Sequence, residues 1–408
     1  MDRSRRDLLA LGVATAAGSL LGCGREVVSR TPVPSAQPAT APQALPPPVP
    51  PAAYARRRER LLAKMREAGI DLFLATPSAH LHYLTGAQLR RSERLIAWVL
   101  RKDGTSFVVG PAFEADRLKD SGMPGELRTW QESEDPIALL ASSISDAGPS
   151  PIIAVEGTTW FDDLAPLSRR IPAGRVKSAT PLLAPIRMEK DPEEIALIGA
   201  GARLTTRIIR RLMDELKEGQ TEEEVLARAG ELARQWEVTL EGLVQFGTRS
   251  AIPHAPAGKT PLHAGDVVLF DMGVSVHGYQ SDVSRTFAFG KPPARFSQVF
   301  QIVQEAQATG VHAARPGIPA SAVDEAARSV VRRAGFGPAF THRLGHGLGL
   351  EGHEHPYLVA GNGMPLREGM TVTIEPGIYL SGEFGVRLED DVVVAPGGAE
   401  ILSKEPGA

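Results

Sequence analysis

Apolar residues recur at helical spacing in some stretches and alternate or run together in others, and the switches between these patterns mark out the elements. Arg56 to Ala68 places Leu61, Leu62 and Met65 on one face of a basic helix. Asp71-Leu72-Phe73-Leu74-Ala75-Thr76 reads as a strand, and Pro151 to Glu156 as a short buried one. Leu95–Arg101 and Thr105–Val109 flank Asp103-Gly104, a hairpin turn signal. Residues 54–185 are therefore expected to form an α/β layer domain. His80 and His82 read there as loop or core residues, and the domain's role as structural, oligomerising or pocket-gating.

From Ile186 the pattern changes. Asp191, Pro192 and Glu194 spell a helix start, with a capping acid, Pro at the first helical position and an acid at the third. Ile195, Ile198, Ala202, Ile209 and Leu212 follow at helical spacing. Thr221 opens a second helix that ends near Gln235, and strand-like sequence then runs from about Leu240 to Phe289. The order repeats, with helices near Phe296–Ala313 and Ser321–Ala334 and strands to about Val394. Two successive helix–helix–strand blocks predict a duplicated architecture over 186–402, helices on antiparallel sheet, with a short tail at 403–408.

The amino terminus has a different texture. Arg5 and Arg6 form a twin-arginine pair, and Leu8 to Leu21 is an uncharged stretch of fourteen residues, too short to span a bilayer. It ends at Leu20-Leu21-Gly22-Cys23, which resembles a bacterial lipoprotein cleavage box. Residues 1–24 thus read as a twin-arginine and lipoprotein signal, with Cys23 the lipidated residue. The expected location is the bacterial cell envelope, with the protein anchored to a membrane through that lipid. Residues 25–53 read as a Pro/Ala-rich disordered linker; nine prolines fall between positions 31 and 51.

Composition removes several classes of function. Lys plus Arg number 45 against 48 Asp plus Glu, a net charge of −3, which excludes a nucleic-acid partner held by basic surface. The single cysteine excludes a disulfide framework and any multi-cysteine metal cluster, and it belongs to the export segment rather than to a nucleophile. No Gly-x-Ser-x-Gly elbow is present. Gly258-Lys259-Thr260 imitates the end of a phosphate loop, but Pro253 stands where its first Gly belongs.

The chemistry concentrates in four later segments. Val267-Val268-Leu269-Phe270-Asp271 ends an apolar strand in an acid, and Asp282 begins the return strand after a Gly-containing loop, so hairpin pairing brings two carboxylates together. Between Thr341 and Pro356 lie His342, His346, His353 and His355, four of the ten histidines, with Gly345 and Gly347 flanking His346. Glu375 closes the β-branched strand Thr371-Val372-Thr373-Ile374. In Val386-Arg387-Leu388-Glu389-Asp390, alternation turns Arg387 and Glu389 one way and Asp390 the other. Asp271, Asp282, Glu375 and Glu389 together carry −4, and gathered in one place they would repel by several kcal/mol at an effective dielectric of about 20. Two divalent cations supply +4. Oxygen donors with one imidazole favour harder ions, Mn2+ above all, with Co2+, Zn2+ or Fe2+ as alternatives.

The segments FDMGVSVHGYQSDVSRTF, HRLGHGLGLEGHEHP, TIEPGIY and GVRLEDDVVV resemble those of the pita-bread dinuclear metallopeptidases, peptidase family M24, which include Xaa-Pro aminopeptidase and Xaa-Pro dipeptidase (prolidase). The resemblance covers roughly residues 54–402. It implies an α+β fold, in which a creatinase-like α/β N-terminal domain precedes a pita-bread catalytic domain with duplicated helix–helix–sheet halves. It implies that Asp271 binds one metal, that Asp282 and Glu389 bridge both, and that His346 and Glu375 complete the other shell. Glu375 would also shuttle the proton, and His254 and His353 would donate to the developing oxyanion. Arg387 would orient the metal shell or the substrate, and His342 would lie on the substrate side. The implied activity is hydrolysis of an Xaa-Pro bond at a peptide N-terminus by a metal-bridging hydroxide, on a peptide with proline second, in a possible homodimer.

Other functions share the fold. A prolidase and a dimethylsulfoniopropionate lyase are the enzyme alternatives. Creatine amidinohydrolase would not need the carboxylate set, and methionine aminopeptidase normally lacks the first domain. A metal-free binding module on the same scaffold is the non-enzyme alternative, and the intact ligand set counts against it.

Overall fold

The computed structural model describes residues 44–145, 147–148, 150–171 and 175–404. The signal segment with Cys23, most of the linker and the last four residues lie outside them. The chain from Ala44 on forms one compact unit built from two domains.

The first domain runs α1 (Pro51–Glu67), β1 (Leu72–Ala75), α2 (Ala79–Thr85), β2 (Ala97–Arg101), β3 (Ser106–Pro111), α3 (Ala115–Asp120), β4 (Glu126–Trp130), α4 (Pro136–Ser145), β5 (Ile152–Val155), α5 (Phe161–Arg170), β6 (Arg175–Ser178) and α6 (Thr180–Met188). Its six strands order β4-β3-β2-β1-β5-β6. Every residue of β1 is buried, because apolar clusters cover both faces of the sheet: Phe73, Trp98 and Leu81 on one, Leu72, Val99 and Ile144 on the other. That is the layered α/β arrangement a continuous apolar run demands. The hairpin predicted at Asp103-Gly104 pairs β2 with β3.

Two details depart from the sequence expectation. The first helix begins at Pro51 rather than Arg56, so the linker ends before position 53, and Val49 and Ala53 are already buried. Proline's fixed φ and missing N–H suit the first turn of a helix, where that donor has no partner anyway. His80 and His82 sit on α2 rather than in a loop.

The second domain runs α7 (Pro192–Glu215), α8 (Glu222–Arg234), β7 (Thr239–Phe246), β8 (Val267–Val276), β9 (Tyr279–Gln280), β10 (Val283–Ala288), α9 (Phe296–Ala313) and α10 (Ala320–Arg333). It ends with β11 (Gly345–Gly347), β12 (Glu354–Leu358), β13 (Thr371–Ile374), β14 (Gly377–Leu380), β15 (Phe384–Arg387), β16 (Asp390–Ala395) and β17 (Gly398–Ile401). Reciprocal caps start both helices of the first half: Glu194 accepts from the Asp191 N–H at 2.9 Å, and Glu224 from the Thr221 N–H at 2.8 Å. One apolar core joins α7 and α8 to the β10-β8-β7 sheet, and a second joins α9 and α10 to β12-β11-β13-β16-β17. The duplicated helix–helix–sheet plan is therefore real, and the fold is α+β with a pita-bread catalytic domain. The site forms where the two half-sheets meet.

Candidate metal centre

Asp271 does not end its strand: β8 continues to Val276, paired with β7 as far as Ser275. Its side chain still leaves the apolar core, because burial in β8 changes from continuous to alternating at Asp271. In the β8–β10 register Asp271 faces Ser284, and Met272 faces Val283, so Asp282 falls just ahead of β10 near Gly273. A Cβ at Gly273 would lie 1.9 Å from the Ser281 carbonyl oxygen, so only glycine lets the two segments approach there. Glu375 directly follows β13, as expected. Glu389 lies in a two-residue break between β15 and β16 rather than within one strand.

From these separate elements five side chains converge. Ligand atoms of Asp271, Asp282 and Glu389 lie within 4.8 Å of one another, as do those of His346, Glu375 and Glu389, and of Asp282, His346 and His353. His346 is buried, and its Nδ1–H donates to the Gly347 carbonyl at 3.1 Å. Nε2 is left as a lone pair, 3.3 Å from Glu375 Oε1 and 3.9 Å from Asp282 Oδ2. Burial drives this imidazole down to about 3, so it is neutral at physiological pH, as a ligand must be.

The carboxylates show the opposite strain. Burial, then the nearby Glu389 and Asp271, hold Asp282 well above the usual carboxyl range. Burial and the Glu375 and Asp271 charges do the same to Glu389, and burial with Asp271 pushes Glu375 up to about 8. Four acids at this spacing carry more negative charge than their surroundings neutralise. With one neutral imidazole among oxygen donors, the set fits a pair of hard divalent cations.

Neighbouring groups fix the ligands in place. Arg387 NH2 donates to Asp271 Oδ2 at 2.5 Å, its Nε to Ser284 Oγ at 3.0 Å and its NH1 to Tyr379 OH at 2.7 Å. Ser284 Oγ donates to Glu389 Oε2 at 2.6 Å. Asp391 Oδ2 accepts from the Asp282 N–H at 3.0 Å, and Thr373 Oγ1 donates to Glu375 Oε1 at 3.3 Å. Ser284, Thr373, Tyr379 and Asp391 carry no distinctive signal of this role in the sequence. The cross-strand register that sets Asp271 opposite Ser284 points to Ser284, and strand alternation places Thr373 two residues from Glu375.

The remaining candidates line the approach. His353 is exposed, with its ring 3.9 Å from that of His346. His254 is exposed on a loop that Gln245 pins by donating to the carbonyls of Ile252 at 2.8 Å and Ala255 at 2.9 Å. His342 is half-buried and spends both ring nitrogens inside the protein, Nδ1 on the Arg343 carbonyl at 2.8 Å and Nε2 on Tyr379 OH at 2.9 Å. It braces Tyr379, and through it Arg387, more directly than it faces a ligand.

Known proteins resemble both domains. The profile of the Creatinase/Prolidase N-terminal domain matches residues 57–189, and that of Metallopeptidase family M24 matches 196–396. An uncharacterized peptidase of Staphylococcus aureus is 33% identical over 350 residues, 84% of this chain and 97% of its own length. A dipeptidase from Mycobacterium ulcerans superposes with a TM-score of 0.83 at 36% identity, covering 88% of this chain and 98% of that one. A prolidase from Thermococcus sibiricus gives 0.82 at 33%, with 86% and 97% covered. An X-Pro aminopeptidase from Thermotoga maritima gives 0.76 at 30%, with 85% and 97% covered.

Proposed function

The chain belongs to metallopeptidase family M24, and on that premise we propose that it hydrolyses the Xaa-Pro bond of dipeptides, using two divalent cations, Mn2+ foremost. The observation that carries the reading is the convergence of Asp271, Asp282, His346, Glu375 and Glu389 beside His353 and Arg387. When bound, the metal pair polarises the scissile carbonyl and acidifies a water. An Xaa-Pro bond has no N–H on its leaving side for an enzyme to grip, so a site that works on the carbonyl suits it. Arg387 keeps Asp271 oriented. Glu375, steadied by Thr373, is placed to take a proton and hand it to the leaving amine. His254 and His353 face the approach as donors for charge developing on the carbonyl oxygen.

Arg343 favours the dipeptide. Its guanidinium stacks on Tyr357 at 4.4 Å and lies close enough to His346, His353 and Glu375 to perturb all three. Among the described residues it has no carboxylate partner of its own. A dipeptide brings a terminal carboxylate within reach of this cation, where a longer peptide brings a neutral amide. Cleavage at the N-terminus of longer peptides is the second reading, favoured by the exposure of His254 and His353 at the mouth. Turnover of Ala-Pro and Ala-Pro-Ala, with Mn2+ titrated in, decides between them. We expect Ala-Pro to be preferred and Arg343→Met to raise its KM about tenfold, the scale of one charge-assisted contact. No metal-dependent release of the N-terminal alanine from either substrate ends the Xaa-Pro reading.

For residues 1–24 we infer export by the twin-arginine route and lipidation at Cys23. The support is the order of signals: arginine pair, short apolar stretch, then Leu20-Leu21-Gly22-Cys23. Labelled palmitate should enter the parent and be absent from Cys23→Ala, and Arg5→Lys with Arg6→Lys should trap the precursor in the cytoplasm.

A further inference from the structure

The His353 imidazole makes no hydrogen bond among the described residues, and its ring meets that of His346 at 3.9 Å. Its position is therefore set by the backbone on either side, and that backbone is gripped from outside the catalytic domain. We propose that Arg187, Lys190, Glu351 and Glu354 form a clamp that positions His353 over the reacting group. The proposal rests on the reading of His353 as a residue that meets the scissile carbonyl.

The geometry is specific. Arg187, near the end of α6, reaches Glu351 Oε2 with NH1 at 2.8 Å and Glu354 Oε2 with NH2. Lys190, in the connection between α6 and α7, reaches Glu354 Oε1 at 2.8 Å. One guanidinium thus holds the chain two residues before His353 and one residue after it. Lys190 is fixed in turn, its N–H donating to the Gly369 carbonyl at 2.9 Å. Glu354 also opens β12, where it pairs with Gly347, the residue after His346. The clamp therefore sets His353 relative to the ligand it rests on. Nor does it have slack: a Cβ at Gly349 would stand 2.9 Å from Glu354 Oε1 and 3.1 Å from Lys190 Cε.

Two cations meet two carboxylates, and all but Glu351 are buried. Such a network is a poor source of stability, since desolvation offsets most of its attraction. What it supplies is fixed directions, because a guanidinium fork accepts carboxylates in few orientations. A side chain misplaced by about 1 Å can lose up to two orders of magnitude in rate.

A double-mutant cycle tests this in the full, Mn2+-loaded protein. Glu351→Gln is the mild lesion, Glu351 itself being partly exposed; Arg187→Lys keeps the charge and loses the fork. Each is made alone and with His353→Ala, and kcat, KM for Ala-Pro, bound Mn2+ and the thermal midpoint are measured. The expected result is a fall in kcat of about tenfold, with KM, metal content and midpoint near the parent's. In the His353→Ala background the same substitutions should cost nothing further. Full multiplication of the two losses overturns the clamp while leaving His353 in its role. So does a loss confined to KM or to bound Mn2+. A His353→Ala enzyme that turns over like the parent removes that role, and the clamp with it.

Discussion

Two carboxylates in this chain, part-buried Asp282 and buried Glu156, respond to pH in opposite directions, and the difference lies in what surrounds each. Asp282 is held high by burial and by Glu389 and Asp271, so the metal-free native state binds a proton that the unfolded chain gives up near pH 4. Stability of the metal-free protein should therefore fall as pH rises above about 4, through the raised range shared with Glu389 and, at about 8, Glu375. Asp282→Asn should abolish Mn2+ binding and yet stabilise the metal-free protein at pH 7 by about 1–2 kcal/mol, with a flatter pH profile. Melting in EDTA across pH 4–8 measures both, and a destabilised Asp282→Asn would mean that the carboxylates do not repel. Glu156 is the counterpart. Burial would raise it, but His80, Thr158 and Thr76 outweigh burial and hold it at about 2. Its contribution is present above the unfolded value near 4.5 and is lost as pH falls toward 2. Glu156→Gln should accordingly cost about 1–3 kcal/mol at pH 7 and progressively less on acidification, as seen in urea unfolding at several pH values.

At the level of elements, the site depends on how closely strands approach. A Cβ on Gly345 would stand 1.9 Å from the Thr373 carbonyl oxygen, so alanine there must push β11 away from β13. That separates His346 from Thr373, whose hydroxyl accepts the His346 N–H at 3.1 Å, and from Glu375. Gly345→Ala is expected to destabilise by about 2–4 kcal/mol and to weaken Mn2+ binding, read by calorimetric titration. A parent-like affinity would show that the strand spacing is not what sets the ligand geometry. The same elements explain what could be read from sequence. Helix starts at Asp191 and Thr221 and the turn at Asp103-Gly104 are local signals, written in neighbouring residues. The five candidate ligands are legible as a converging set because each belongs to a distinctive segment. Other features depend on pairing between distant positions. Asp271 sits mid-strand because β7 pairs past it, and Arg387 finds Asp271 across 116 positions of sequence. His342 lies in a legible motif, but Tyr379 and Arg343, which occupy its nitrogens, decide its task.

On the scale of the whole molecule the two domains are joined by buried charge as well as by apolar contact. Val49 and Ala53, at the start of the first domain, belong to the core of the first catalytic half. Next to them Arg57 is wholly buried on α1, with Nε 3.3 Å from Asp191 Oδ2, NH2 3.2 Å from Glu194 Oε2, and its guanidinium 4.4 Å from the Tyr83 ring centre. Glu194 in turn accepts from Tyr279 OH at 3.0 Å, on the strand just before Asp282. Arg57→Met leaves Glu194 short of a cation inside the seam, while Asp191 keeps Arg60 at 3.0 Å, at a cost of about 3–5 kcal/mol. Because that cost falls on the joint, the parent should unfold in one calorimetric transition and Arg57→Met in two, the first domain melting earlier. On the proposed function Mn2+ would bind only the second domain's native state, so it should raise the single transition of the parent but only the upper transition of the variant. If both transitions rise with Mn2+, the domains remain coupled without Arg57. The apolar contacts of Val49 and Ala53 would then be sufficient to transmit the metal's stabilisation across the seam.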